Sequence, residues 1–244
     1  MIYLDNAAST AVHPAVVKEM LPYFDIQYGN PSSIHQFGRK AKNAMQKARK
    51  QVAALIGAEP DEIIFTSGGT ESNNTLLFGC PNVSFDTSHI ITSSIEHEAI
   101  LEPCRDMVKL NQAEVTYLPV DEYGMVNPDD ITNSINPQTG IVSVMLANNE
   151  VGTIQPIKEI SKICNKYEIE LHTDAVQAVG KIPINVKELG VDALSISSHK
   201  INGPKGVGAL FIKRGFKIGA TILGGGQENG MRSGTENVAS IVGF

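Results

Sequence analysis

Short runs of apolar and β-branched residues recur along the chain. Between them lie longer stretches whose apolar positions step by three or four. Seven runs read as strands: residues 62–67, 89–94, 114–120, 141–147, 169–173, 193–197 and 207–213. The runs at 141–147 and 193–197 are almost continuously apolar, the pattern of parallel strands covered on both faces. Residues 33–56 place Ile34, Phe37, Ala41, Met45, Ala48, Val52 and Leu55 on one stripe, which predicts a helix with one buried side. Gly57 follows where a C-terminal cap glycine belongs. Residues 156–167 open on a proline, which a first helical turn accepts. Strand–helix alternation of this length predicts an α/β fold built on a parallel sheet with right-handed crossovers.

Composition narrows the class. The 244 residues are 42% hydrophobic and 19% charged, ordinary globular values that exclude a disordered chain and a small disulfide scaffold. A net charge of −6 argues against general nucleic-acid binding, which runs on phosphate neutralisation. The 33–56 segment carries Arg39, Lys40, Lys42, Lys47, Arg49 and Lys50, and no acidic residue interrupts 32–58. That pattern reads as a solvated face opposite the apolar stripe, not as an RNA contact. Cys80, Cys104 and Cys164 are odd in number and form no CxxC pair, so neither a disulfide framework nor a metal site is expected. Cys104 and Cys164 have apolar neighbours and read as small core residues. No signal peptide is visible and no apolar run approaches a membrane span, so a cytoplasmic setting is expected.

In parallel sheets, ligands bind at the carboxyl ends of the strands. After the first strand comes Ser67-Gly68-Gly69-Thr70-Glu71-Ser72-Asn73-Asn74, either a tight turn or a glycine-led helix start whose amides suit a phosphate. It is neither GxGxxG nor GxxxxGK[ST], which disfavours a dinucleotide or a P-loop nucleotide. His97 follows the second strand, placed to stack on a flat ring or move protons, or to sit hydrogen-bonded in the core. Asn148 and Asn149 follow the fourth, where asparagines also make turns. Asp174 follows the fifth; it is either a helix N-cap or a partly buried carboxylate that needs a cationic partner. Lys200 comes directly off the sixth, where desolvation turns an amine into a nucleophile for carbonyls. Lys181 and Lys205 lie in loop contexts and read as surface charges. A carbonyl-reactive lysine, a carboxylate for a pyridinium nitrogen and a phosphate-cradling helix start are the groups that pyridoxal 5'-phosphate requires.

These motifs resemble a known family. Tyr3-Leu4-Asp5-Asn6-Ala7-Ala8, Gly29-Asn30-Pro31-Ser32-Ser33, Thr66 to Asn74, His172-Thr173-Asp174-Ala175-Val176-Gln177 and Ser197-Ser198-His199-Lys200 resemble the cysteine desulfurases of the NifS/IscS type. So do Gly224-Gly225-Gly226-Gln227-Glu228 and Met231-Arg232-Ser233-Gly234-Thr235. The resemblance implies a homodimeric, fold-type-I enzyme with a three-layer α/β/α arrangement around a mostly parallel seven-stranded sheet. Residues 15–244 would form the large cofactor domain and 1–14 a segment on the small-domain side. By motif, Lys200 resembles the lysine that binds the cofactor aldehyde, and Asp174 the residue that keeps the pyridine nitrogen protonated. Gln177 would hydrogen-bond the phenolic oxygen, with Asn149 beside it, and His97 would stack over the ring as an acid/base. Gly69, Thr70, Ser197 and His199 match phosphate ligands, and Thr235 would reach the phosphate of the partner subunit.

The implied reaction converts L-cysteine to L-alanine and an enzyme-bound persulfide, passed to an iron–sulfur scaffold or another sulfur acceptor. In the family, the cysteine and the carboxylate-gripping arginine of that reaction lie in a C-terminal region without counterpart here, and Arg232 does not match that arginine. The expectation is a chain that binds the cofactor without completing desulfuration alone. Transamination or elimination on the same scaffold, and a noncatalytic dimerisation or partner-binding module, are the competing expectations.

Overall fold

A computed structural model describes residues 2–83 and 88–244. Among these, seven strands form one sheet: β1 (Ile63–Thr66), β2 (Ser88–Ser93), β3 (Ala113–Leu118), β4 (Thr139–Ser143), β5 (Glu170–Asp174), β6 (Ala193–Ser197) and β7 (Gly208–Ile212). Their order is β1-β7-β6-β5-β4-β2-β3. Pairs among β2 to β6 are parallel, whereas β7 runs antiparallel to both β1 and β6. The mostly parallel seven-stranded sheet implied by the resemblance is present, and the wholly parallel sheet read from strand–helix alternation fails only at β7. The link from β6 to β7, residues 198–207, is too short for the dozen or more residues a parallel crossover takes.

The helices are α1 (Pro14–Met20), α2 (Pro22–Asp25), α3 (Gln36–Ile56), α4 (Gly69–Gly79), α5 (Glu98–Lys109), α6 (Pro128–Ser134), α7 (Ile157–Tyr167), α8 (Val186–Leu189) and α9 (Val238–Gly243). The period-2 alternation of the strands sorts them into two layers. Phe65, Ile91, Val142 and Phe211 face one core with Met45 and Val52 of α3, Ile160 of α7 and Ile241 of α9. Their neighbours Ile64, Ile90, Ile141 and Leu210 face the other core with Leu76 of α4 and Ile100 of α5. The result is a three-layer α/β/α sandwich.

Local expectations shift at the element ends. The α3 helix starts at Gln36, because the His35 ring accepts the Gly38 amide as its N-cap. Ile34, at 89% exposure, therefore lies outside the helix, and Phe37 and Leu55 are also exposed. The buried stripe is Ala41, Met45, Ala48, Val52, Ala53 and Ile56. Gly57 ends it at φ 71°, its amide bonded to Ala53 and Ala54 carbonyls. Arg49 does not belong to a solvated face: it is buried and gives two hydrogen bonds to Glu228, at 2.8 and 2.6 Å. Glu228 also accepts the Phe65 amide at 2.8 Å, which pins the 224–235 loop against β1. The fourth strand ends at Ser143, four residues before the expected end. Beyond it Val144 and Leu146 still bond the carbonyls of His172 and Asp174.

The topology also aims the strand ends. The two reversals at β7 leave β1 pointing the same way as β6. The carboxyl ends of β1, β2, β4, β5 and β6 therefore open on one edge of the sheet.

Candidate active site

That edge holds a cavity of about 270 Å³. Nine of the ten residues singled out from sequence line it: Gly69, Thr70, His97, Asn149, Asp174, Gln177, Ser197, His199 and Lys200. Thr235 does not. It lines a separate cavity of about 210 Å³ together with Ser67 and Arg232, and Arg232 is held there by a two-pronged pair with Glu71 at 2.8 and 3.1 Å.

Asp174 ends β5 on the cavity floor, 5% exposed. Its carboxylate accepts the Asn73 side-chain amide at 2.7 Å and the Val176 amide at 2.9 Å. No helix follows it, so the N-cap reading does not apply. Burial pushes its carboxyl above the ordinary range. The two donors, and more distantly His97 and Lys200, pull it back. A cationic ligand group set against this floor would complete the return to the charged form.

Lys200 leaves β6 through a short 3-10 turn, Ser198–Lys200. Its ammonium donates to the carbonyls of Ala7 and Ala8, the latter at 3.0 Å, so residues 7–8 lie across the mouth of the cavity. Burial, and then the Lys181 charge, hold its amine below the ordinary lysine value, against the opposing pull of Asp5 and Asp174.

At the opposite wall α4 begins. Gly68 precedes it at φ 153°, a conformation that favours glycine, and offers no side-chain cap to the helix amides. A Cβ on Gly69 would sit 2.7 Å from the Val176 side chain, and one on Gly208 would sit 2.7 Å from Gly68 Cα. Glycines thus let β1, β6 and β7 close against the helix start. His97 caps α5, its Nδ1 accepting the Ala99 amide at 3.0 Å, which leaves Nε2 as the ring's free nitrogen. Burial, Lys200 and Lys205 lower His199, whose Nδ1 meets the Ser9 hydroxyl at 3.2 Å.

Three contributors escaped the sequence reading. Asn73 lines the cavity and holds Asp174; its signal was present, four residues after Gly69 and three after Thr70 on one helix face. Glu96, beside His97, is buried and accepts the Ser93 hydroxyl at 2.6 Å and the Met145 amide at 2.9 Å. Lys181 is not an idle surface charge: its ammonium donates to Gln177 Oε1 at 2.6 Å. The three cysteines are all buried, and burial pushes their thiols to about 11 for Cys80 and about 12 for Cys104 and Cys164.

The donor set fits pyridoxal phosphate. A buried carboxylate whose hydrogen bonds come only from neutral amides awaits a cation. An amine stands in the same cavity, and an uncapped helix start offers amides for a phosphate.

Comparison with known proteins agrees. The aminotransferase class-V family model matches residues 2–244. The cysteine desulfurase IscS of Dictyoglomus turgidum is 56% identical over the whole chain, and that of Methanosarcina thermophila 53%. The chain spans 62% and 60% of their lengths, about three fifths of the curated relatives it matches. Among solved structures, one described as SspA in complex with cysteine superposes with a TM-score of 0.97 at 39% identity, covering all of this chain and 71% of that one. A NifS-like protein gives 0.95 at 44% identity, covering 99% of this chain and 67% of that one. The chain belongs to the aminotransferase class-V family, among the cysteine desulfurases of the NifS/IscS type, whose cofactor is pyridoxal phosphate.

Proposed function

We propose that this chain forms the cofactor-holding part of an enzyme that takes sulfur from L-cysteine and leaves L-alanine. The observation that carries the reading is the meeting of Lys200, Asp174, His97 and the α4 start around one cavity. The solved relative in complex with cysteine supports the substrate class.

When bound, pyridoxal phosphate supplies an aldehyde for an amine and a ring that takes up the electron pair left on a substrate α-carbon. Lys200 provides the amine, partly desolvated and beside a second positive charge, so a larger fraction is unprotonated near neutrality. Asp174 would hold a positive ring nitrogen, and Asn73 fixes its carboxylate by a hydrogen bond. Gly69 and Thr70 at the α4 start, with Ser197 and His199, receive the phosphate. Gln177 and Asn149 present amides to the polar edge of the ring. His97 holds or moves a proton at Nε2, since Nδ1 is engaged.

The thiol that accepts the sulfur as a persulfide is none of Cys80, Cys104 and Cys164: each is buried, outside the cavity, and kept protonated. It comes from outside residues 1–244, as does the group that grips the substrate carboxylate. In this reading residues 15–244 are the large domain, and residues 1–14 approach it from the small-domain side. A second copy of the chain brings its Thr235 toward the phosphate. The product sulfur goes to an iron–sulfur scaffold or another acceptor protein, in the cytoplasm. Among the described residues no helix is long and apolar enough to cross a membrane, and no cluster of metal-binding side chains forms.

The test is titration of the purified protein with pyridoxal phosphate, followed by borohydride reduction and peptide mass spectrometry. The expected result is a new visible absorbance band and a reduced cofactor adduct on Lys200, both lost in Lys200→Ala. An identical spectrum and adduct pattern in Lys200→Ala would overturn the assignment.

A further inference from the structure

Behind Gln177 the chain holds a second ammonium group. Lys181 lies four residues on, after the turn that carries Asp174 to Gln177, and Gly180 at φ 75° bends the backbone just before it. Its Nζ donates to Gln177 Oε1 at 2.6 Å, and Gln177 Nε2 donates to the Ala7 carbonyl at 2.8 Å. Lys200 Nζ donates to that same carbonyl. The order is therefore ammonium, amide, carbonyl, ammonium, joined link by link. An amide has one donor end and one acceptor end. With Oε1 committed to Lys181, Gln177 can turn only its NH₂ toward the mouth of the cavity.

We propose that Lys181 is a positioning residue of this site: it fixes the orientation of the Gln177 amide and keeps a second positive charge beside Lys200. The inference rests on the reading of Lys200 and Gln177 as cofactor-binding groups, and it goes beyond that reading by assigning a role to a residue outside the cavity wall. Two consequences follow. The Gln177 NH₂ is presented to an acceptor oxygen on a bound ring without the cost of sorting two amide orientations. The Lys200 amine also loses its proton more readily, because a like charge disfavours the ammonium form. The other groups facing Lys200 are Asp5 from the N-terminal segment and Asp174 from β5, both opposing this effect, and His199 on its own turn. The Lys181 amine is itself lowered by burial, so the cluster weakens as Lys181 deprotonates at alkaline pH.

The experiment needs no turnover. Competitive acetylation with mass spectrometry gives the titration midpoint of Lys200 in the cofactor-free protein, for the wild type and for Lys181→Met, Lys181→Arg and Lys181→Gln. In the same proteins, borohydride trapping gives half-saturation by pyridoxal phosphate. In Lys181→Met the Lys200 midpoint rises, and half-saturation needs about fivefold more cofactor, the loss of one net hydrogen bond. Lys181→Arg restores both. Should the methionine variant not fold, as judged by circular dichroism, Lys181→Gln is read in its place, with the same rise expected. An unchanged midpoint overturns the electrostatic role, and an unchanged half-saturation overturns the amide role. Failure of the wild type to trap cofactor on Lys200 overturns the proposed function instead, while the acetylation midpoint still decides the role of Lys181.

Discussion

Replacing Glu96 with glutamine should reverse its effect on stability between acid and alkaline pH. The carboxyl is buried beneath the site, near Asp174 and Cys104. One oxygen accepts two hydrogen bonds and the other, Oε2, is buried with no partner. Burial raises its pKa from 4.5 to about 8, with Asp174 adding to the rise and the Ser93 and Met145 donors opposing it. At pH 7 the folded chain therefore keeps a proton that the unfolded chain releases. Stability from this group is fully present below about pH 4.5 and is lost as pH rises toward 8. At 1.36 kcal/mol per unit, the loss reaches roughly 4 kcal/mol at pH 8. Glutamine does not titrate, but its NH₂ takes the place of the unpartnered oxygen and costs about 2 kcal/mol at every pH. The two curves cross near pH 6, as the arithmetic of those two estimates requires. Glu96→Gln should be less stable than the wild type at pH 5 by about 1 kcal/mol, and more stable at pH 8 by about 2 kcal/mol. In a chain of this size that corresponds to roughly 3 °C in Tm at pH 5 and roughly 6 °C at pH 8, of opposite sign. Thermal melts of both proteins from pH 5 to pH 8 measure it. Melting curves that stay a constant interval apart across the range would refute the reasoning.

Three other outcomes follow from the packing. Arg49→Met should cost about 3–5 kcal/mol in urea unfolding, because it strands the buried Glu228 carboxylate with only the Phe65 amide. Gly208→Ala should destabilise by about 1–3 kcal/mol and weaken cofactor binding, since its Cβ would lie 2.5 Å from the Ile196 carbonyl and 2.7 Å from Gly68, neither of them a side chain that can step aside. Both are read by chemical denaturation, the second also by cofactor titration. The native protein at pH 8 should resist iodoacetamide at Cys80, Cys104 and Cys164, with labelling appearing only in urea, because burial keeps all three protonated.

The seven strands were legible because each is a short run rich in apolar and β-branched residues, and all but β3 are buried along all or nearly all of their length. The reversal at β7 was legible only in the length of the link before it, which strand pattern alone does not weigh. The exposed ends of the α3 stripe show the limit of periodicity. Ile34 matches the step of three but precedes the cap at His35, and a residue outside the helix has no helical face. Arg49 shows a different limit. Its partner Glu228 is 179 positions away, and a basic run looks the same whether one member is buried or none.

The site was read more fully than the contacts behind it, and the topology gives the reason. Residues that meet a ligand follow strands directly, and strands whose carboxyl ends share an edge bring their followers together without further instruction. Gly69, His97, Asn149 and Lys200 each follow a different strand and Asp174 ends another, and five local readings therefore converge on one cavity. Asn73, Glu96 and Lys181 each bond a residue of the site or its surroundings, and those partners are fixed by side-chain direction in the folded chain. Asn73 reaches Asp174 across 101 positions, and Glu96 reaches the Met145 amide across 49. Lys181 lies four positions from its partner; it is an exposed loop lysine, as read, but that reading did not find its bond to Gln177. A lysine in a loop is ordinarily solvated, and only the turn at Gly180 returns its ammonium to the Gln177 amide. Local sequence thus names the groups that line the cavity. The groups that hold those residues in place become visible only once the strand ends have been brought together.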